Sequence, residues 1–189
     1  MLDGISPPLT ATQFIVGRLV EWRERGELPA EMLSLLDVDI LVPAPPSAEM
    51  KTRDAVWPAR SLAEDLLAAG FGRWTAPLVT RVKAVEKLTK AGSEHRRPQA
   101  VHLPTMMVLG GLPMDAPPRP RFLVVDDVIT SGATVLAAAT RLIEAYPRAS
   151  VAAFAGFRVI DVDPPNPAIL PTTGLVRYSA ATDRCHRKP

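Results

Sequence analysis

The sequence predicts an α/β protein, a parallel sheet flanked by helices, folded as a single domain over residues 1–189. Three observations lead there. Short uninterrupted apolar runs, VDILV at 38–42 and FLVV at 122–125, have the character of strands covered on both faces, as parallel strands are. These runs alternate with segments whose apolar residues recur at helical spacing, which implies strand–helix–strand crossovers. A length of 189 residues with 47% apolar and 22% charged side chains suits one domain with a packed core.

Residues 11–25 place Ile15, Leu19 and Trp22 at i, i+4 and i+7, an amphipathic helix within an N-terminal helical segment, 1–36. Val38–Val42 is a β-branched run stopped by Pro43 and reads as a buried strand. The proline-rich stretch behind it carries two cations, Lys51 and Arg53. A helix starts at Pro58, a favourable first-turn residue, and runs through Leu62, Leu66 and Ala69 to Gly70. Pro77–Val82 is the next strand. Lys83–His102 has many cations, little apolar pattern and a Gly92–Ser93 pair, so it reads as a long surface loop of a kind that is usually functional or mobile. Met106–Leu109 follows as a strand and Leu112–Pro120 as a connector. Phe122–Val125 is the best-defined strand and ends in Asp126 and Asp127. The helix that follows carries Ala139, Leu142, Ile143 and Tyr146 on one face and closes at Pro147. Val151–Phe157 returns as a strand. Residues 160–189 form a proline-rich C-terminal extension with Leu175–Tyr178 as a last strand.

Composition excludes several classes. A net charge of +2 leaves no electrostatic footprint for nucleic acid or for an anionic membrane. The single cysteine, Cys185, rules out a disulfide framework and a multi-cysteine zinc site. His95, His102 and His186 have no ligand spacing, and no GxxxxGK[ST] loop is present. The start, MLDGISPPLT, lacks the basic and apolar regions of a signal peptide, and no apolar run reaches the ~18 residues of a membrane span. A cytoplasmic location is expected. The 20 prolines stand well above the usual ~5% and cluster in connections between elements.

Chemistry concentrates after the 122–125 strand. In open parallel sheets ligands bind at the carboxyl ends of strands, which is where Asp126 and Asp127 fall. Thr130-Ser131-Gly132-Ala133-Thr134 then leads into a helix, offering hydroxyls, a glycine for close backbone approach and the free amides of a helix N-terminus. Those are the parts of a phosphate site. An acid pair beside a phosphate cradle repels a purely anionic ligand, but it suits one that carries a neutral diol next to its phosphate. The residues therefore point to a ribose 5-phosphate group, with its phosphate on Thr130–Thr134 and its hydroxyls on Asp126 and Asp127. Taken alone, an Asp-Asp pair at a strand end is more often a solvated turn; the Ser-Gly-x-Thr loop in register changes that balance.

FLVVDDVITSGAT, 13 residues in register, resembles the 5-phosphoribosyl-1-pyrophosphate (PRPP) motif of type I phosphoribosyltransferases. More loosely, VPAPPS with Arg53, the helix after it and the basic stretch at 81–97 resemble the competence-associated ComF-like branch, over residues 40–158. Members of that branch often carry zinc-ribbon cysteines near the N-terminus, which are missing here. The resemblance implies a sheet core with a small variable hood and displacement of pyrophosphate from PRPP by a nitrogenous nucleophile. It implies Mg²⁺ bound mainly through PRPP. Lys51 and Arg53 match the pyrophosphate-binding loop, and Arg81, Lys83, Lys87, Lys90 and Arg96 match a mobile loop that closes over the leaving group. A homodimer is compatible with it. Purine-salvage members carry an acid where this chain has Thr130, so a purine acceptor is not expected. A non-catalytic module that senses PRPP or a nucleotide, in DNA uptake or defence, would need the same acids and phosphate loop but neither the pyrophosphate cations nor the closing loop.

Overall fold

The computed structural model describes residues 9–47, 56–83, 99–159, 172–179, 181 and 184–188. Helix α1 (Ala11–Glu24) opens with a capping box: the Gln13 amide donates to Thr10 Oγ1 at 3.2 Å, and Gln13 Oε1 accepts from the Thr10 amide at 3.0 Å. Helix α2 (Ala30–Leu36) follows, then β1 (Ile40–Pro43), α3 (Pro58–Ala68), and the short strands β2 (Trp74–Thr75) and β3 (Val79–Arg81). After them come α4 (Gln99–His102), a 3₁₀ turn at Leu103–Thr105, β4 (Met106–Val108), β5 (Arg121–Ile129), α5 (Ala133–Ala145) and β6 (Ser150–Arg158). A C-terminal hairpin of β7 (Leu175–Ser179) and β8 (Arg184–Lys188) closes the described chain.

The main sheet has four strands in the order β2-β1-β5-β6, every neighbouring pair parallel. The two strands expected from VDILV and FLVV are direct neighbours, Ile40 opposite Phe122 and Pro43 opposite Val125. Alternation along them sorts the core onto two faces. Leu41, Leu123 and Val125 pack under α1, α2 and α3 with Val16, Leu19, Trp22, Leu62 and Leu66. Ile40, Val42, Phe122 and Val124 pack on the opposite face against α5 and the antiparallel β3–β4 pair. Gly156 of β6 makes the first contact possible: a Cβ there would come within 2.7 Å of Ile15 Cδ1 and 3.2 Å of the Asp127 carbonyl oxygen.

Three expectations shift. The strand expected from Val38 begins at Ile40, because Asp39 serves as a bolt below it. The Asp39 carboxylate, 5% exposed, accepts from the Arg121 amide at 2.8 Å. The inner face of α5 is Val135, Ala138 and Leu142, with Ala137 beside them, while Ile143 stays 48% exposed. Tyr146 still reaches the core, its ring 5.4 Å from that of Phe122. Finally, β5 does not stop at Val125. Pairing with β6 carries it through both acids to Ile129.

Candidate functional site

β1 and β5 lie side by side, yet their connections leave in opposite directions. From β1 the chain crosses through α3 to β2 on one side; from β5 it crosses through α5 to β6 on the other. The two helices cover opposite faces. That is the topological switch point of an open parallel sheet, and the loops leaving the two carboxyl ends must part there and leave a crevice. β1 ends opposite Val125, whereas β5 runs on to Ile129 paired with β6. Asp126 and Asp127 are thus the first residues of β5 past the end of its neighbour.

Both acids are half-buried. Burial pushes the Asp126 carboxyl up to about 7, reinforced by the negative charge of Asp127 and a hydrogen bond between the two side chains. The Asp127 amide, which donates to Asp126 Oδ1 at 3.1 Å, pulls the other way. Near neutral pH the pair therefore carries less than two full charges and can both accept and donate hydrogen bonds.

Thr130–Thr134 turns directly from β5 into α5. Gly132 is the N-cap residue, at φ +83°, and Ala133 opens the 13-residue helix. The first amides of α5 have no carbonyl of their own helix to bond, so they face the crevice end as donors. Thr130 is exposed, and Ser131 and Thr134 are half-buried. Gly132 is buried because β7 lies against it; a Cβ there would meet Val176 Cγ1 at 2.7 Å. The C-terminal hairpin therefore forms the outer wall of this loop, a role nothing in its polar sequence announced.

On the β1 side, the Ala44 amide donates to the Val125 carbonyl at 2.7 Å, which sets Ala44 beside Asp126. The indole Nε1 of Trp57 donates to the Ala44 carbonyl at 2.7 Å. Lys51 and Arg53 lie outside the described residues, as do Lys87, Lys90 and Arg96. Lys83 is exposed just past β3. Arg81, expected in a closing loop, is instead the last residue of β3 and only 6% exposed. Its Nε donates to the Pro46 carbonyl at 2.8 Å and its Nη1 to Thr105 Oγ1 at 2.5 Å. Burial lowers its pKa from the ordinary value. Alternation along β3 sets Arg81 on the same face as the buried Val79, which turns its side chain inward. A cation in a basic stretch reads as solvated in sequence, so the burial of Arg81 and its tie to Pro46 were not legible there, nor was the tie of Trp57 to Ala44.

Among the described residues no group of three or more His, Cys, Asp or Glu is placed to hold a metal ion, and no helix is long and apolar enough to cross a membrane. An open depression lined by Arg23, Asp37, Phe71 and Arg73 lies at the amino end of β1, away from the loops just described.

No protein-family model and no curated protein matches the chain. Among solved structures the chain is similar to adenine phosphoribosyltransferase from Saccharomyces cerevisiae complexed with D-2,5-dideoxy-2,5-imino-altritol 1,6-bisphosphate and adenine. The TM-score is 0.39 and the identity 17%, over 76% of this chain and 68% of that one. Values this low transfer neither substrate nor mechanism.

Proposed function

We propose that the protein is a phosphoribosyltransferase that takes PRPP and passes its ribose 5-phosphate to a nitrogenous nucleophile. One observation carries this reading: the switch point sets Asp126 and Asp127 between the Thr130–Thr134 turn at the start of α5 and the run that leaves β1. In the proposed complex the amides and hydroxyls of Thr130–Thr134 hold the 5-phosphate. Asp126 and Asp127 accept from the 2- and 3-hydroxyls. Lys51 and Arg53 neutralise the diphosphate, and Lys83 and Lys87 add further positive charge. Magnesium would enter bound to PRPP, and its charge would help to offset that of the diphosphate.

The reaction breaks the C1–O bond to the diphosphate, which leaves with the electron pair, and forms a C1–N bond to the acceptor. Positive charge grows on the ribose ring in between, and the acid pair beneath the diol supplies fixed negative potential toward it. The cations of the β1 loop stabilise the leaving charge. Thr130 has no basic partner among the described residues, so it binds phosphate, and the acceptor's proton passes to solvent.

The test is incubation with PRPP, Mg²⁺ and a panel of hypoxanthine, guanine, adenine, uracil and orotate, following pyrophosphate release. Release with one acceptor, and neither hypoxanthine nor guanine the best, is the expected result. Binding of PRPP without release from any acceptor would favour a sensing module, and no binding would overturn both readings.

A further inference from the structure

The stretch that leaves β1 is Pro43-Ala44-Pro45-Pro46. Proline has no backbone N–H, so this run has a single amide to offer, that of Ala44, and spends it on the Val125 carbonyl. Whatever else fastens the run must therefore come to its carbonyl oxygens as a donor. Two side chains do so: Trp57 Nε1 reaches the Ala44 carbonyl, and Arg81 Nε reaches the Pro46 carbonyl. Arg81 is the more costly device. The residue is 6% exposed, and the partners its guanidinium bonds among the described residues are neutral, the Pro46 carbonyl and the Thr105 hydroxyl. Thr105 is itself buried and donates onward to the His102 carbonyl at 2.7 Å, so the fork is held rigidly on both sides. A buried cation without a carboxylate among the described residues is expensive for a purely structural tie, which a neutral donor would make at lower cost.

We propose that Arg81 is a positioning residue that makes the loop after β1 fit to receive an anion. It turns the Pro46 carbonyl, a negative end that would repel such a ligand, onto its own guanidinium. Among the described residues no carboxylate pairs with it, so its positive charge stands behind the loop in a setting of low dielectric where it is weakly screened. The inference rests on reading this crevice as a ribose-phosphate and diphosphate site, and it concerns the diphosphate half alone.

The experiment compares the full chain with Arg81→Gln, Arg81→Lys and Thr105→Val. Indole N–H exchange of Trp57, Trp22 and Trp74 is read by NMR, and affinities for magnesium pyrophosphate and for ribose 5-phosphate by calorimetry. In Arg81→Gln, Trp57 exchange should rise about tenfold with the other two indoles unchanged, and pyrophosphate binding should weaken about tenfold or more. Ribose 5-phosphate affinity should stay within about threefold, because that ligand sits on the other loop. Arg81→Lys should recover part of the pyrophosphate affinity by restoring charge, and Thr105→Val should shift both readouts the same way but less. If Arg81→Gln does not fold, the other two variants carry the same readouts. Unchanged Trp57 exchange overturns the proposal, as does equal loss of both ligands with all three indoles accelerated. If the unaltered chain binds neither probe, the phosphoribosyl reading fails and the anion role falls with it.

Discussion

Asp126 has a native pKa near 7 against an ordinary value of 3.8, and the direction of that shift fixes its effect on stability. Between those values the folded chain holds a proton that the unfolded chain has released. Stability must therefore fall as pH rises through that window, with the full penalty present above it. Urea unfolding at about pH 5 and about pH 8 should show the unaltered chain losing stability at the higher pH and Asp126→Asn losing much less. Equal slopes would remove Asp126 as the source. The same titration governs the ligand, since ionised carboxylates are the better acceptors for a diol. Ribose 5-phosphate should bind more tightly as pH rises through 7. Replacing Asp126 and Asp127 together by Asn should weaken it about tenfold to a hundredfold per residue, with the fold intact by circular dichroism. Unchanged affinity in that double variant would show that the diol lies elsewhere.

At the scale of elements, the junction of β5, α5 and β7 is the most demanding point. Gly132 combines φ +83° with Val176 pressed against its α-carbon, so Gly132→Ala meets both backbone strain and a clash. A loss of about 1–3 kcal/mol is expected in urea unfolding. Adding Val176→Ala should recover the steric share and leave the backbone share; no recovery would mean that the hairpin does not press on this loop. The sequence made β5 and its Ser-Gly-x-Thr loop legible because apolar run, acids and glycine occur in strict order. It hid the strand's last four residues because acids lack strand propensity, and pairing with β6 is what keeps Asp126–Ile129 extended. Helix α2 falls within the helical segment expected over 1–36, but at seven residues after Pro29 it is too short to show a period of its own. β8, with the sequence RCHRK, is a strand only because β7 pairs with it. Arg81 illustrates the same limit at the site itself, since burial of a charge is a property of the partner strand.

For the whole molecule, a ligand that bridges the β1 and β5 loops should act as a clamp on the sheet. At a hundred times its Kd, PRPP with magnesium would stabilise the fold by about 2.7 kcal/mol, which for a chain of this size is a rise in Tm of roughly 5–10 °C. Differential scanning fluorimetry checks this, with ribose 5-phosphate or pyrophosphate alone expected to give smaller rises. A shift no larger with PRPP than with either half would show that the two loops do not share one ligand. The adjacency of β1 and β5 also bears on how the chain reaches its fold. Asp39 and Arg121, bolted together at the base of that pair, are 82 positions apart in the chain. Such a non-local parallel pairing closes late, because a long loop must lose its entropy before any contact repays it. Until then Ile40 and Val42 have no Phe122 or Val124 beside them, and an unpaired apolar strand waits at the edge of a half-built sheet. During synthesis the amino-terminal half is thus the aggregation-prone portion of this protein, and the candidate site comes into being only at the step that ends that exposure.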